Sequence, residues 1–524
     1  MRKMGWNRKR IFATFIMLLG IGVVIFFIAC KERAGYHSDY TDTLMWAEAS
    51  VQSGSIYDPN FWYAYILPFG GNLLMLPFVL LFGVSFTTQV LGMIAFALVF
   101  LAAMYGCMKQ VGLDYEQRAT AVGLCAILLS VSPTARMIFW GHVIHYSMGL
   151  LSLWVGMILI SKIISDDHVK DKKKQIIYCS LLAIWCFLCC NNGFSAILLF
   201  TVPFIGAIVL ERFLDVSTPL NDKASLHSLK VGALALFFSG GGLISFYLSQ
   251  KKIYKSYEDY FTTLLPSSEW GGSNFHMWTT LFTEYQSESV SLVSKDGIQI
   301  AYFFLMSIVI FVIPVFALIC YKKYENRMMR ILVLSHWVIV ASLLLTFSIS
   351  VARGTNWRMC SMLGSAIFLS VVYTMWLIRQ EKMKRFGYTL LSALAVFAVV
   401  ITAQIVTIPS AYGTNVYDRL AEVLKEHDLS YGYGDYWYAN AVTILTDSEV
   451  KLRSVTVKED GTCEIYGYQS YPSWYEDQPG IERYFLCITG GEYEVLKDTL
   501  VKDSVEVIPF EETGYILVFD HNLF

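Results

Sequence analysis

Ala64-Tyr65-Ile66-Leu67-Pro68-Phe69-Gly70-Gly71-Asn72-Leu73-Leu74-Met75-Leu76-Pro77-Phe78-Val79-Leu80-Leu81-Phe82-Gly83-Val84 is the stretch on which the topology turns. It is apolar and about as long as the roughly 20 residues a helix needs to cross a bilayer. It is also broken by Pro68, Gly70, Gly71 and Pro77. If it crossed, every later connector would change sides, and Lys170-Asp171-Lys172-Lys173-Lys174 would face outward. Cytoplasmic loops carry the excess of Lys and Arg, so 64–84 reads as a re-entrant or interfacial segment. Broken backbone at membrane depth is tolerated where protein or a wet cavity covers it.

With that segment set aside, eleven spans remain: about 11–30, 88–108, 118–133, 147–163, 176–190, 193–210, 229–248, 298–320, 331–350, 358–378 and 387–408. Alternation then places one set of connectors inside: the N-terminal Arg2, Lys3, Arg8, Lys9 and Arg10, then 109–118, 162–174, 212–230, 322–330 and 379–385. Nearly every basic cluster falls on that side. The N-terminus is therefore expected in the cytoplasm. Its apolar run to Cys30 exceeds the roughly 7–15 residues of a signal-peptide core and reads as an uncleaved first helix. The lipid bilayer is the first partner the sequence implies.

Composition agrees. Of 524 residues, 55% are apolar and 16% charged, against roughly 25% charged in soluble proteins. The net charge of −2 hides an asymmetry, because residues 409–524 hold 8 basic and 21 acidic side chains. No basic patch with interleaved aromatics points to nucleic acid. From about 409 the pattern turns soluble. It gives an amphipathic helix over 416–427, a short strand leading into a helix near 437–446, strands near 450–457, 462–468, 483–489, 504–509 and 514–520, and a helix over 491–501. The expected fold class is a polytopic α-helical membrane protein of about eleven transmembrane helices with a small extracytoplasmic α/β domain. The membrane domain covers 1–408, with long outer loops at 31–87 and 249–297, and the α/β domain covers 409–524. Cys463 and Cys487 share that domain and can pair if the fold brings them within reach.

In the first outer loop, Tyr36-His37-Ser38-Asp39-Tyr40-Thr41-Asp42 leads into Thr43 through Gly54. Tyr40, Leu44, Ala47 and Val51 recur at helical spacing. Asp39 or Thr41 can cap the helix start, and Gly54 suits its end. Asp39 and Asp42 are three apart and can share one side. A carboxylate just outside the bilayer can act as a general base on a bound hydroxyl, and a cap is the plainer reading of the same residue. His37, Tyr63, His142, His145 and Trp437 are candidate acceptor or sugar contacts, as are Tyr436 and Asn440. Aromatic rings also line every membrane interface. His37, His142, His145 and His276 all fall outside, but without a carboxylate or Cys at a familiar ligand spacing. No metal site is expected, although a divalent ion remains compatible.

The basic N-terminus, the first span, an Asp soon after it and an interfacial helix resemble the GT-C superfamily of membrane glycosyltransferases, such as the protein O-mannosyltransferases and the aminoarabinose transferases of lipid A. The spacing of Ala47 and Gly54 after Asp39 is similar to the first-loop motif of its bacterial members. The resemblance covers the membrane region in layout and about 36–83 in motif. It implies a GT-C-like layout with an outer α/β domain. The implied donor is a sugar on a polyprenyl phosphate, with a glycan, lipid or protein acceptor of the cell envelope at a bacterial plasma membrane. It makes Asp39 the base in a single inverting displacement, with Asp42 second. Arg358, at the start of a late span, looks like the family's phosphate-facing arginine, and Arg353 stands beside it; guanidinium matches phosphate in bidentate geometry. Two departures stand out. Tyr40, not a second acid, follows Asp39, and the loop 132–146 lacks a carboxylate. The rival readings are a transporter or flippase of a lipid-linked envelope component and a non-catalytic scaffold of the same fold. A transporter would hold ionisable residues at mid-span, and these spans show almost none.

Overall fold

The structure is a computed structural model that describes residues 8–64, 67–142, 145–164, 171–214, 223–251, 253, 264–269, 274–283, 289–350, 357–408, 415–458, 460–512 and 514–524. The chain divides into two compact units. One comprises 1–27, 96–247 and 259–407; the other comprises 28–95, 248–258 and 408–524. The expected outer loop at 31–87 and the C-terminal region thus belong to one unit, although more than 300 residues separate them in sequence.

Among the described residues, ten helices are long and apolar enough to cross a membrane. The first is α1 (Arg8–Cys30). The next segments are short. They are α2 (Asp42–Ser53) and α3 (Asn72–Phe82), followed by the span α4 (Phe86–Gln110). α3 has 11 residues, about 16 Å at 1.5 Å per residue, roughly half of a bilayer's apolar core. It starts after Gly70-Gly71 and stops at Gly83, whose φ of +65° ends the helix. Among the described residues, 64–84 therefore holds no helix long enough to cross a membrane.

The expected span 118–133 takes another form. α5 (Tyr115–Leu128) stops early, and the chain bends by 120° into α6 (Pro133–Gly141). Pro133 opens α6, where its missing N–H costs nothing, and Ser132 caps it through Ala135 N–H. Counting this pair as one crossing gives the eleventh. The later spans are α7 (His145–Ile164), α8 (Lys172–Cys190), α9 (Phe194–Leu214), α10 (Lys223–Gln250), α11 (Lys295–Ile319), α12 (Arg327–Ile349), α13 (Trp357–Arg379) and α14 (Lys384–Thr407). The chain is a polytopic helical membrane protein.

Within the first unit, the basic helix ends are tied together. Arg10 pairs with Glu116 at 2.9 Å. Glu211 at the end of α9 is fully buried and takes both Arg327 and Arg330 at 2.9 Å. Arg379 donates to the Gly112 carbonyl. A buried carboxylate is tolerable only with such partners.

Within the second unit, α15 (Val416–Glu426), α16 (Ala439–Leu445) and α17 (Gly490–Leu496) pack on a six-stranded sheet. The strands are β1 (Tyr431–Gly434), β2 (Lys451–Val457), β3 (Cys463–Ile465), β4 (Tyr484–Thr489), β5 (Glu506–Phe510) and β6 (Gly514–Phe519), in the order β3-β2-β1-β4-β6-β5. β1 runs parallel to β2 and β4; the other pairs are antiparallel. Alternate residues serve two cores. Leu452, Phe485 and Ile516 face one, with Leu420, Leu424 and Val442, and Tyr433, Leu486 and Leu517 face the other. Cys463 and Cys487 are free thiols. They lie on β3 and β4, with β2 and β1 between them, so three strand spacings of about 4.8 Å already put them about 14 Å apart across the sheet, far beyond disulfide reach.

Candidate functional site

The residues after α1 build the site in the second unit. Lys31 donates to the Ile408 carbonyl at 2.7 Å. Arg33 grips Asp418 with two bonds of 2.6 and 3.1 Å and lies over the Phe86 ring. Asn415 donates to the carbonyls of Arg33 and Tyr36. These contacts hold the chain in a fixed path into a 3-10 turn over Ser38–Thr41, followed directly by α2.

That turn changes the reading of Asp39. It does not cap α2, because Asp42 is already the first helical residue and no side chain caps the start. The His37 ring accepts the Asp39 N–H instead. The Asp39 carboxylate is half-buried and accepts the Tyr436 hydroxyl at 2.9 Å. Burial raises the Tyr436 pKa well above its usual value, with Asp42 and Asp39 adding to the shift, so the phenol stays a donor. Tyr417 is pushed up to about 12 by burial, with Tyr438, Asp435 and Asp39 adding to it. Asp42, in contrast, is 2% exposed.

An aromatic group continues from Tyr436. Its ring meets Trp437 at 5.3 Å, Tyr468 at 4.9 Å and Tyr466 at 5.9 Å. Tyr466 and Tyr468 stack at 5.6 Å. Trp437 is 49% exposed and meets His37 at 5.8 Å. Ser38, next to Asp39, donates to the Trp437 carbonyl at 3.0 Å. Sequence reasoning singled out His37, Asp39 and Trp437 separately, and the structure brings them together. It did not find the Tyr436–Asp39 bond or the part of Tyr466 and Tyr468, since no local pattern reports a contact across 397 residues.

Other candidates lie elsewhere. Tyr63 is 3% exposed, its ring is packed on Phe61 and its hydroxyl accepts the Asp58 N–H, so it offers no ring face to a sugar. Asn440 is buried and donates to the Gln469 carbonyl, which removes it as a glycan contact. His142 is buried in the first unit, just beyond α6. His145 begins α7 in the same unit. Arg358, also of the first unit, is half-buried in the single 3-10 turn that opens α13. Arg353 falls outside the described residues, as do 252, 254–263, 270–273 and 284–288 of the second long loop. Among the described residues, no three His, Cys, Asp or Glu side chains gather as a metal site would need.

No sequence-family model matches the chain, and no curated protein matches it in sequence. Its structure has clear relatives. It is similar to ArnT from Cupriavidus metallidurans in the apo state, with 10% identity, 96% of this chain and 97% of that chain covered, and a TM-score of 0.55. It is similar to the same protein bound to undecaprenyl phosphate, with 10% identity, 97% and 98% covered, and a TM-score of 0.56. It is also similar to the archaeal oligosaccharyltransferase AglB from Archaeoglobus fulgidus in complex with an inhibitory peptide and a dolichol-phosphate. There the identity is 11%, 96% of this chain and 74% of that chain are covered, and the TM-score is 0.50. At such identities the likeness establishes architecture. ArnT, an aminoarabinose transferase, and AglB are both GT-C superfamily members, and the fold of this chain is the GT-C fold.

Proposed function

We propose that the protein is a membrane glycosyltransferase that moves a sugar from a polyprenyl-phosphate donor to a hydroxyl of a cell-envelope acceptor, on the outer face of a bacterial plasma membrane. The observation that carries this reading is Asp39: a half-buried carboxylate nine residues after the first span, free of any duty in capping α2 and aimed by Tyr436. Two structural relatives, one bound to undecaprenyl phosphate and one to a dolichol-phosphate, favour a lipid-linked donor.

Side follows from charge. The chain passes into the second unit at the C-terminal ends of α1, α10 and α14 and leaves it through the N-terminal half of α4 and after 258. The opposite ends of these helices carry Arg8, Lys9 and Arg10, Lys384 and Arg385, and Lys109. Positive ends stay in the cytoplasm, which assigns the second unit to the outer side.

In the reaction the acceptor oxygen forms a bond to the anomeric carbon. The bond from that carbon to the phosphate oxygen breaks and leaves its electron pair on the lipid phosphate. The acceptor's proton passes to Asp39, and the anomeric configuration inverts. The departing anion needs positive charge, which we assign to Arg358. A guanidinium at the N-terminal end of a span adds to the helix's own positive end, a combination that favours a bound anion.

The test is transfer by the full-length protein in nanodiscs from undecaprenyl-phosphate sugars, with mass spectrometry of surface glycans in cells with and without the gene. Asp39→Asn should lower the rate by about 100-fold or more, and Arg358→Ala should raise the donor KM. An Asp39→Asn protein as active as wild type sinks the assignment.

A further inference from the structure

The rings around Asp39 carry the reading one step further, to the acceptor. We infer that the acceptor is an uncharged carbohydrate, stacked on Trp437 and Tyr466 with one hydroxyl presented to Asp39. This inference rests on the transferase reading for its meaning but on the second unit alone for its geometry.

Trp437 is a large apolar side chain left 49% exposed, yet its backbone is firmly held. Its N–H donates to Asp435 at 2.9 Å, and its carbonyl accepts from Ser38 at 3.0 Å. The ring is therefore presented, at low entropic cost to a ligand, by residues adjacent to the carboxylate. Tyr466 is 39% exposed and its ring is braced by stacking on Tyr468. Between these two exposed faces stands Tyr436, which contacts both rings and bonds Asp39. Both exposed rings thus pack on the one phenol that bonds the carboxylate.

The chemistry of that surface selects the occupant. A pyranose has an apolar C–H face that lies flat on an aromatic ring, and its rim of hydroxyls needs acceptors. Asp39 and the exposed Asp435 supply acceptors beside the rings. A lipid chain would want continuous apolar surface and would leave both carboxylates facing hydrocarbon. A phosphate-rich polymer would meet residues 409–524, where acids outnumber bases by 21 to 8, and like charge disfavours that encounter. A peptide is the remaining rival.

Saturation-transfer NMR on the full-length protein in nanodiscs discriminates. The probes are chitotetraose and cellotetraose as neutral glycans, poly(glycerol phosphate) as the polyanion and a neutral Ser/Thr-rich peptide. The expected result is binding of a neutral tetrasaccharide, weakened about 3- to 10-fold by Trp437→Ala and by Tyr466→Ala, in line with an aromatic contact of about 0.5–1.5 kcal/mol. Trp437→Phe, which keeps a ring and guards against a folding defect, should fall in between. Asp39→Asn should still bind the tetrasaccharide while losing transfer, which separates this inference from the proposed reaction. Tetrasaccharide binding unchanged in both alanine variants overturns the inference whatever the transfer assay gives. So does binding of the peptide or the polyanion in place of the neutral glycans.

Discussion

Glu32 shows what this fold does with a single charge. It follows α1 by two residues and is 1% exposed, and among the described residues neither carboxylate oxygen has a hydrogen-bond partner. Burial alone raises its pKa well above the usual carboxylate value, because a lone charge is costly to bury and the neutral form is kept instead. The folded state then holds a proton that the unfolded chain releases above about pH 4.3. Stability is complete below that pH, declines as the pH rises past it by up to about 1.4 kcal/mol per unit, and stops declining once the folded-state value is passed. Glu32→Gln removes this dependence. Thermal unfolding should find the two proteins alike at pH 4 and the glutamine protein the more stable at pH 8. Parallel curves across that range would show that Glu32 ionises without penalty. None of this was legible in Lys31-Glu32-Arg33, which reads as an ordinary charged cluster at a span end. Asp39 was legible as a candidate, since an acid soon after a first span is visible in one sequence. What it touches was not, because Tyr436 arrives from the far end of the chain.

At the scale of elements, the run Ser239-Gly240-Gly241-Gly242 in α10 shows that small residues are not equivalent. A Cβ on Gly242 would come within 2.2 Å of the Phe187 carbonyl oxygen in α8, whereas among the described residues one on Gly240 would meet nothing within 4 Å. Helices in membranes approach closely where small residues permit it. Gly242→Ala should therefore destabilise the protein by about 1–3 kcal/mol through overpacking, and Gly240→Ala should be tolerated. The melting temperature of the purified full-length variants measures both. The element pattern itself was largely readable. Charge bias and apolar length marked the spans, partial alternation marked β2, and short apolar runs between turn residues marked β4 and β6. The bend between α5 and α6 was missed because α5 is apolar past its own end, and hydropathy does not register a 120° turn. The resemblance in motif stopped near residue 83, and so it singled out Asp39 as a candidate without naming its neighbours.

At the scale of the whole molecule, the second unit is assembled from segments at 28–95, 248–258 and 408–524. Composition could mark where the soluble pattern begins. It could not reveal that the early segment folds with the late one, because the contacts between them are long-range and leave no local pattern in either segment. The bond of Arg33 to Asp418 is the clearest seam, with the Asp418 side chain 3% exposed. Removing Asp418 strands the Arg33 guanidinium, whose side chain is 21% exposed, at about 1–3 kcal/mol. Asp418→Ala should lower the melting temperature and speed proteolysis within 28–95 while leaving the spans inserted. Limited proteolysis of the protein in nanodiscs reads this directly.

The tie between Lys31 and Ile408 spans 377 residues. A ribosome adding roughly 5–20 residues per second needs roughly 20–75 seconds to cover that distance. During synthesis the segment bearing Asp39 therefore waits for its partners while every intervening span is being inserted, and a chain released early carries the carboxylate but not the phenol that aims it.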